Sequence, residues 1–148
     1  MPAPTFSVRL CDWNTVRVQA RRIRELVFVR EQGVPLELEW DEQDPHCDHV
    51  LASGADGKAV GTGRLLPDGH IGRMAVMKEW RGKGVGALLL RALMEQARRR
   101  GHTQARLNAQ TQAAGFYQRF GFEVSGAEFL EAGIRHVRMQ RDLTNAPG

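Results

Sequence analysis

The sequence predicts an α/β fold, a mixed sheet with helices on both faces, and three observations carry that prediction. The apolar run at 71–77 enters a basic glycine-rich turn and then a long segment with Val85, Leu88, Leu89, Ala92, Leu93 and Ala97 at helical spacing, which reads as strand, turn, helix. Three successive strand-like runs, at 49–53, 59–66 and 70–77, are joined by turn signals and form a meander. The helix at 84–100 then links the last of these to a short alternating run at 104–109, so this one pair should be parallel, with a right-handed crossover.

The remaining elements follow from local pattern. Residues 5–10 alternate Phe6, Val8 and Leu10 with polar neighbours, as a half-buried strand does. Residues 15–31 place Val16, Ala20, Ile23, Leu26 and Val27 on one helical face and arginines on the other, and Gly33 and Pro35 close the helix. Ala55-Asp56-Gly57-Lys58 and Pro67-Asp68-Gly69 are turn signals, and Gly101 suits a helix C-cap. A short helix begins at Thr111 or Gln112, runs through Phe116, Tyr117 and Phe120 and ends at Gly121. Strands at 122–125 and 135–143 follow, and the tail 144–148 is expected to fray. The resulting order is β-α-β-β-β-α-β-α-β-β, a single domain over residues 1–148 with no repeat or linker.

Composition bounds the function. A 148-residue chain with 42% hydrophobic and 26% charged residues is that of one soluble globular domain. Residues 1–10 lack the apolar stretch of a signal peptide, and no run is long enough to span a bilayer, so no membrane partner and a cytoplasmic location are expected. Cys11 and Cys47 have neither metal-ligand nor disulfide-framework spacing, so two reduced thiols and no metal site are expected. A net charge of +4 permits nucleic-acid binding, but the cations are dispersed among 17 acids. The one tight run, Arg98-Arg99-Arg100, complements a helix C-terminus, and no nucleic-acid partner is expected. The acidic stretch 37–48 reads either as a solvated loop containing Trp40 or as the acidic wall of a pocket for a cationic substrate.

The turn Arg81-Gly82-Lys83-Gly84-Val85-Gly86 has three glycines and two cations where a helix begins. Unpartnered amides and the positive end of the dipole make such a start an anion site, and glycines let a ligand approach the backbone. Residues 82–87 satisfy the dinucleotide pattern G-x-G-x-x-A, but Lys78-Glu79-Trp80-Arg81 separates the strand from the first glycine. Asn108 stands on the next strand, where the ribose-binding acid belongs. No Gly-Lys-Ser/Thr follows for a triphosphate loop.

These residues resemble the GCN5-related N-acetyltransferases. That family's acetyl-CoA loop, Arg/Gln-x-x-Gly-x-Gly/Ala between strand and helix, is filled by Arg81, Gly84 and Gly86. Its second element, an aromatic-tyrosine pair before Gly-Phe, is filled by Phe116-Tyr117 and Gly121-Phe122. The resemblance implies direct transfer of an acetyl group from acetyl-CoA to a primary amine on a small molecule or peptide, without a metal, and homodimers are common in the family. It implies that the amides of Gly82, Lys83, Gly84, Val85, Gly86 and Ala87 hold the diphosphate, with charge from Arg81 and Lys83. Met74 and Val76 would offer backbone groups to the pantetheine arm, and the Met74 N–H would face the thioester oxygen, where a fixed donor is worth about 3 kcal/mol. Tyr117 would be the general acid, or else a plain core residue between Phe116 and Phe120. Asn108 would hold the pantetheine or Tyr117, or else cap a helix. His70, four residues before Met74, matches the family's general base, with Glu31 and His49 as substitutes through water; it also follows a turn signal and reads equally as a turn residue. A non-catalytic acyl-CoA sensor on the same fold is the alternative reading.

Overall fold

The computed structural model describes residues 5–144, so the expectations for residues 1–4 and for most of the tail, 145–148, lie outside the described residues. Thr144 is tied down, its N–H and hydroxyl both donating to Asp142 Oδ1, at 2.8 and 2.6 Å. The elements are β1 (Phe6–Cys11), α1 (Trp13–Arg24), α2 (Leu36–Glu39), β2 (Asp48–Gly54), β3 (Ala59–Leu65), β4 (His70–Val76), α3 (Val85–Arg99), β5 (Gln104–Gln110), α4 (Ala114–Gln118), β6 (Glu123–Val124), β7 (Phe129–Glu131) and β8 (Ile134–Asp142). The eight strands form one sheet in the order β1-β2-β3-β4-β5-β8-β6, with β7 paired to β8. All pairings are antiparallel except β4 with β5.

Period-two alternation sends each strand's residues to two separate cores. Val50, Ala52, Ile71, Ala105, Leu107 and Val137 pack with Leu89, Leu90, Leu93 and Met94 of α3, while Leu51 and Ala75 face Trp13, Val16, Ala20 and Ile23 of α1. Helix α1 starts at Asp12, whose carboxylate accepts from the Thr15 N–H at 2.8 Å. Helix α3 ends as expected, with Gly101 at φ +84° and the His102 and Gly101 amides donating to Ala97 and Arg98 carbonyls, a Schellman closure. Arg98 and Arg99 approach Glu95, and Arg100 donates to Asp48.

Four expectations need correction. The helix at 15–31 is α only to Arg24; Glu25–Glu31 is a π-helical turn closed by the Gln32 N–H on the Val27 carbonyl. The final strand pairs with a hairpin partner, β7, through a turn in which Ala132 and Gly133 both take positive φ. Alanine gives no sequence signal for that conformation, so β7 was absent from the expected order, as was the single turn α2. Arg24 lies on the buried side of α1, 1% exposed, rather than among the solvated arginines.

The fourth correction concerns the acidic stretch, which is solvated on one side only: Glu37, Trp40 and Glu42 are exposed, but the inward carboxylates are paired with arginines. Glu39 and Asp44 are buried. Arg24 donates through Nε to Glu39 and through its terminal nitrogens to Asp44, at 2.9 and 3.0 Å, and Arg64 donates to Asp44 at 2.8 Å and Asp41 at 2.7 Å. Two arginines from opposite sides of the loop thus consume its three inward carboxylates and pin it over the sheet, while Trp40 remains 62% exposed. Burial raises the Asp44 carboxyl, but the hydrogen bonds and charges of Arg24 and Arg64 outweigh it and hold the group below its ordinary value.

Removing one partner from such a network leaves uncompensated buried charge. Asp44→Asn is therefore expected to cost about 3–5 kcal/mol in denaturant unfolding. Because the folded Asp44 pKa is depressed, its stabilisation is complete above the unfolded value of about 4 and is lost as pH falls below it. The acid-side decline in Tm should be shallower in Asp44→Asn than in the wild type.

Candidate active site

The site is an opening through the sheet. β4 and β5 pair only at His70↔Arg106 and Ile71↔Leu107, then diverge. On its other side β4 stays paired with β3, but the register shifts: Arg64 opposes Gly72 and Thr62 opposes Ala75, so Arg73 and Met74 together face Gly63. This is a β-bulge, with Arg73 at φ +49°. Ile71, Met74 and Val76 consequently share the α3 face, three residues apart and then two, while Ala75 points to α1. A Cβ on Gly63 would come within 2.9 Å of Leu93 and 3.1 Å of Met74, so the glycine makes room for the displaced Met74.

The bulge also re-aims the backbone. The Met77 N–H donates to Val60 and the His70 carbonyl accepts from Leu66, both toward β3. Counting back by two from Met77, Ala75 also faces β3, so the amides of Met74 and Val76 face the gap to β5. The Val76 carbonyl is on that side and accepts from Arg81 Nε at 3.0 Å.

Two cavities meet at this gap. One, of about 810 Å³, is lined by Arg81, Gly82, Gly84, Val85, Gly86 and Ala87, with Arg91, Arg119 and Arg141 adding positive charge. Gly82 and Gly84 have φ of +75° and +89°, and nothing lies within 4 Å of where a Cβ would stand on either. The loop thus turns its bare backbone to open space at the start of α3. The second cavity, of about 780 Å³, shares Val76, Arg81, Gly86 and Phe116 with the first and extends past His70, Met74, Asn108 and Tyr117.

Each sequence-predicted residue can now be located. Lys83 is exposed on the turn and lines neither cavity. Arg81 is engaged in a two-pronged pair with Glu31, at 2.7 and 2.9 Å, besides its bond to Val76. Those hydrogen bonds hold the Glu31 carboxyl below its ordinary value, which makes it a weak base. His49 is 1% exposed, stacks near Trp13, donates from Nε2 to the Asp44 carbonyl at 2.8 Å and lines neither cavity. His70 lines the second cavity with Nδ1 2.9 Å from Asp68 Oδ1, a close approach whose angle falls short of a directed hydrogen bond. Asn108 caps no helix; its Nδ2 donates to Glu131 at 3.3 Å. Tyr117 packs between Phe116 and Phe122 with its hydroxyl 3.8 Å from the Met74 sulfur, and burial pushes its pKa up to about 12.

Residues 28–143 match the family model described as an acetyltransferase (GNAT) domain. The chain belongs to the GNAT acetyltransferase family. It is 43% identical to the Bacillus subtilis "Uncharacterized N-acetyltransferase YjcF" over 124 residues, 81% of this chain and 88% of that protein. It is 39% identical to the Bacillus subtilis protein YyaT over 132 residues, 85% and 88% of the two chains. Among solved structures, Escherichia coli ElaA superposes with a TM-score of 0.82 at 26% identity, covering 93% of this chain and 100% of that one. An acyl-CoA N-acyltransferase from Pseudomonas aeruginosa gives 0.80 at 29% identity, covering 93% and 99%.

On this GNAT chain several cavity residues carried no usable sequence signal. Leu107 and Ala109 of β5 pack under α3, so Asn108 and Gln110 face the other way, toward the part of the sheet that α1 leaves uncovered. His136, opposite Gln110 on β8, lines the same cavity, with Nδ1 2.7 Å from the Ile134 carbonyl and Nε2 3.6 Å from Glu131. Gln110 and Gln32 exchange side-chain amide bonds at 2.9 and 3.5 Å, tying the end of the π-turn to β5. Tyr117 and the loop thus lie on the α3 side of the gap, and His70, Asn108 and His136 on the other.

The chain has one tyrosine, so the phenolate absorbance reports Tyr117 alone. In a spectroscopic titration it should ionise near 12 in the folded protein and near the free-phenol value of about 10 after unfolding. A folded-state midpoint equal to the unfolded one would mean that the hydroxyl is solvated.

Proposed function

We propose that this GNAT protein is an acetyl-CoA-dependent N-acetyltransferase that passes the acetyl group directly to a primary amine, the two substrates meeting across the gap between β4 and β5. The observation that carries this reading is that gap: one opening joins a glycine-lined anion cavity to a second, polar-walled cavity, with unpaired β4 amides between them. The site fits the coenzyme. Gly82, Gly84 and Gly86 present backbone donors at a helix start for the diphosphate, and Arg91, Arg119 and Arg141 add charge. When bound, acetyl-CoA supplies an activated acetyl thioester.

The chain's own residues then have distinct tasks. The Met74 amide is the donor for an oxygen lodged in the gap, and the Val76 amide holds the extended arm beside β4 as an added strand would be held. Tyr117 keeps its proton throughout the physiological range, so it is available as the general acid at the sulfur. Its hydroxyl already faces a sulfur, that of Met74. On the opposite face, His70, held beside Asp68, takes the proton from the incoming amine. Cys11 and Cys47 are both unpaired, which suits a reducing cytoplasm.

A thermal-shift series with acetyl-CoA, coenzyme A and NAD, followed by thiol release over a panel of amines, tests the proposal. Stabilisation by the first two and amine-dependent thiol release are expected; stabilisation by NAD alone overturns it. Stabilisation without thiol release for any amine would favour a non-catalytic acyl-CoA sensor.

Two substitutions test the assigned roles. Tyr117→Phe should lower kcat by about 10²–10⁴-fold with little change in acetyl-CoA affinity; full activity would return Tyr117 to the core. His70→Ala should lower turnover near neutral pH and flatten the acid limb of the rate profile, and an unchanged profile removes His70 as the base.

A further inference from the structure

Resting on the reading just given, we propose that the amine acceptor carries an anionic group, and that Arg73 is the residue that selects for it. The charge allocation at the acceptor cavity leads there. Three acids line this cavity, Glu39, Asp41 and Glu131, and the two near Arg73, Glu39 and Asp41, are already engaged. Glu39 is taken by Arg24, Asp41 by Arg64 and the Gln43 amide, while Glu131, half exposed, accepts only from Asn108. Asp44, which could have neutralised a third cation, is shared between Arg24 and Arg64.

Arg73 is left over. Its carboxylate contacts are ion pairs at 3.5 Å to Asp41 and 3.9 Å to Glu39, neither of them a directed hydrogen bond, and its one hydrogen bond is a 3.4 Å donation to the Leu38 carbonyl. Its Nε is buried without a partner. Burial and the charges of Arg64 and Arg24 disfavour its cation, the environment in which an arriving anion gains most. The side chain is 27% exposed, lines the cavity, and stands on the bulge next to Met74, whose amide faces the gap. A guanidinium that makes no two-pronged carboxylate pair, beside the reacting atoms, is suited to a carboxylate or phosphate on the acceptor. The acidic stretch, which in isolation favours a cationic acceptor, cannot play that part because its inward carboxylates are spent.

The test is thiol release from acetyl-CoA with matched amine pairs: tyrosine against tyramine, leucine against isoamylamine, and phosphoethanolamine against ethanolamine. The wild type should favour the anionic member of at least one pair by about tenfold or more in kcat/KM. The first two pairs would identify a carboxylate and the third a phosphate. Arg73→Gln should abolish that preference, chiefly through KM, while Arg73→Lys should retain part of it. Arg73→Gly suits the positive φ, so it separates loss of charge from backbone strain. It should lose the preference in a stably folded protein.

Equal or better use of the neutral members by the wild type overturns the inference. So does a preference that survives in Arg73→Gln and Arg73→Gly. Titration of acetyl-CoA separates this failure from the failure of the functional reading. A protein that binds acetyl-CoA and acetylates amines without regard to charge refutes only the role of Arg73, and one that does not bind it refutes both.

Discussion

The extra residue in β4 is the constraint on which the rest of the site depends. Without it, strict alternation would send the Met74 side chain into the α1 core and its amide into the ladder with β3. With it, Met74 and Val76 turn their amides to the unpaired edge and their side chains to α3, beneath Tyr117. A sheet edge inside a protein is ordinarily costly because its donors and acceptors go unmet. Here that cost is confined to a few groups on β4, where an extended ligand can complete the ladder.

A second layer of organisation ties the lips of this opening together. The π-turn at Glu25–Glu31 ends between them, with Glu31 on Arg81 of the loop and Gln32 on Gln110 of β5. A regular α-helix would have rotated these side chains away, since the wider turn shifts the phase of every residue that follows. Farther along, the loop at 36–48 is pinned by Arg24 and Arg64, so the rims of the second cavity are held by paired charges and paired amides rather than by apolar packing.

Much of this was legible in the sequence because it rests on local patterns. Alternation found seven of the eight strands within one residue at each end, and the residues of the glycine turn and of Phe116-Tyr117 line the two cavities. What was illegible depends on partners far away in the chain. Nothing in residues 37–44 says that Arg24 and Arg64 will claim their carboxylates, so the charge run read as solvent-facing or ligand-facing. Arg73 and Ala132 adopt positive φ without being glycine or asparagine, so the bulge and the β7 turn left no mark in composition. His136 falls on the polar side of an alternating run, yet β7 and Phe129 fold over it.

The loop after β4 holds one further lesson. Lys83 points away from both cavities, and Arg81 is occupied by Glu31, so the two cations that make this turn look electrostatic contribute little to it directly. What the turn itself offers the cavity is main chain, set by two left-handed glycines. Peptide dipoles have no titratable group and no rotamer to search, so this part of the cavity wall should hold steady across pH. Surface mutation in the turn can then drift freely wherever the two torsion angles are preserved.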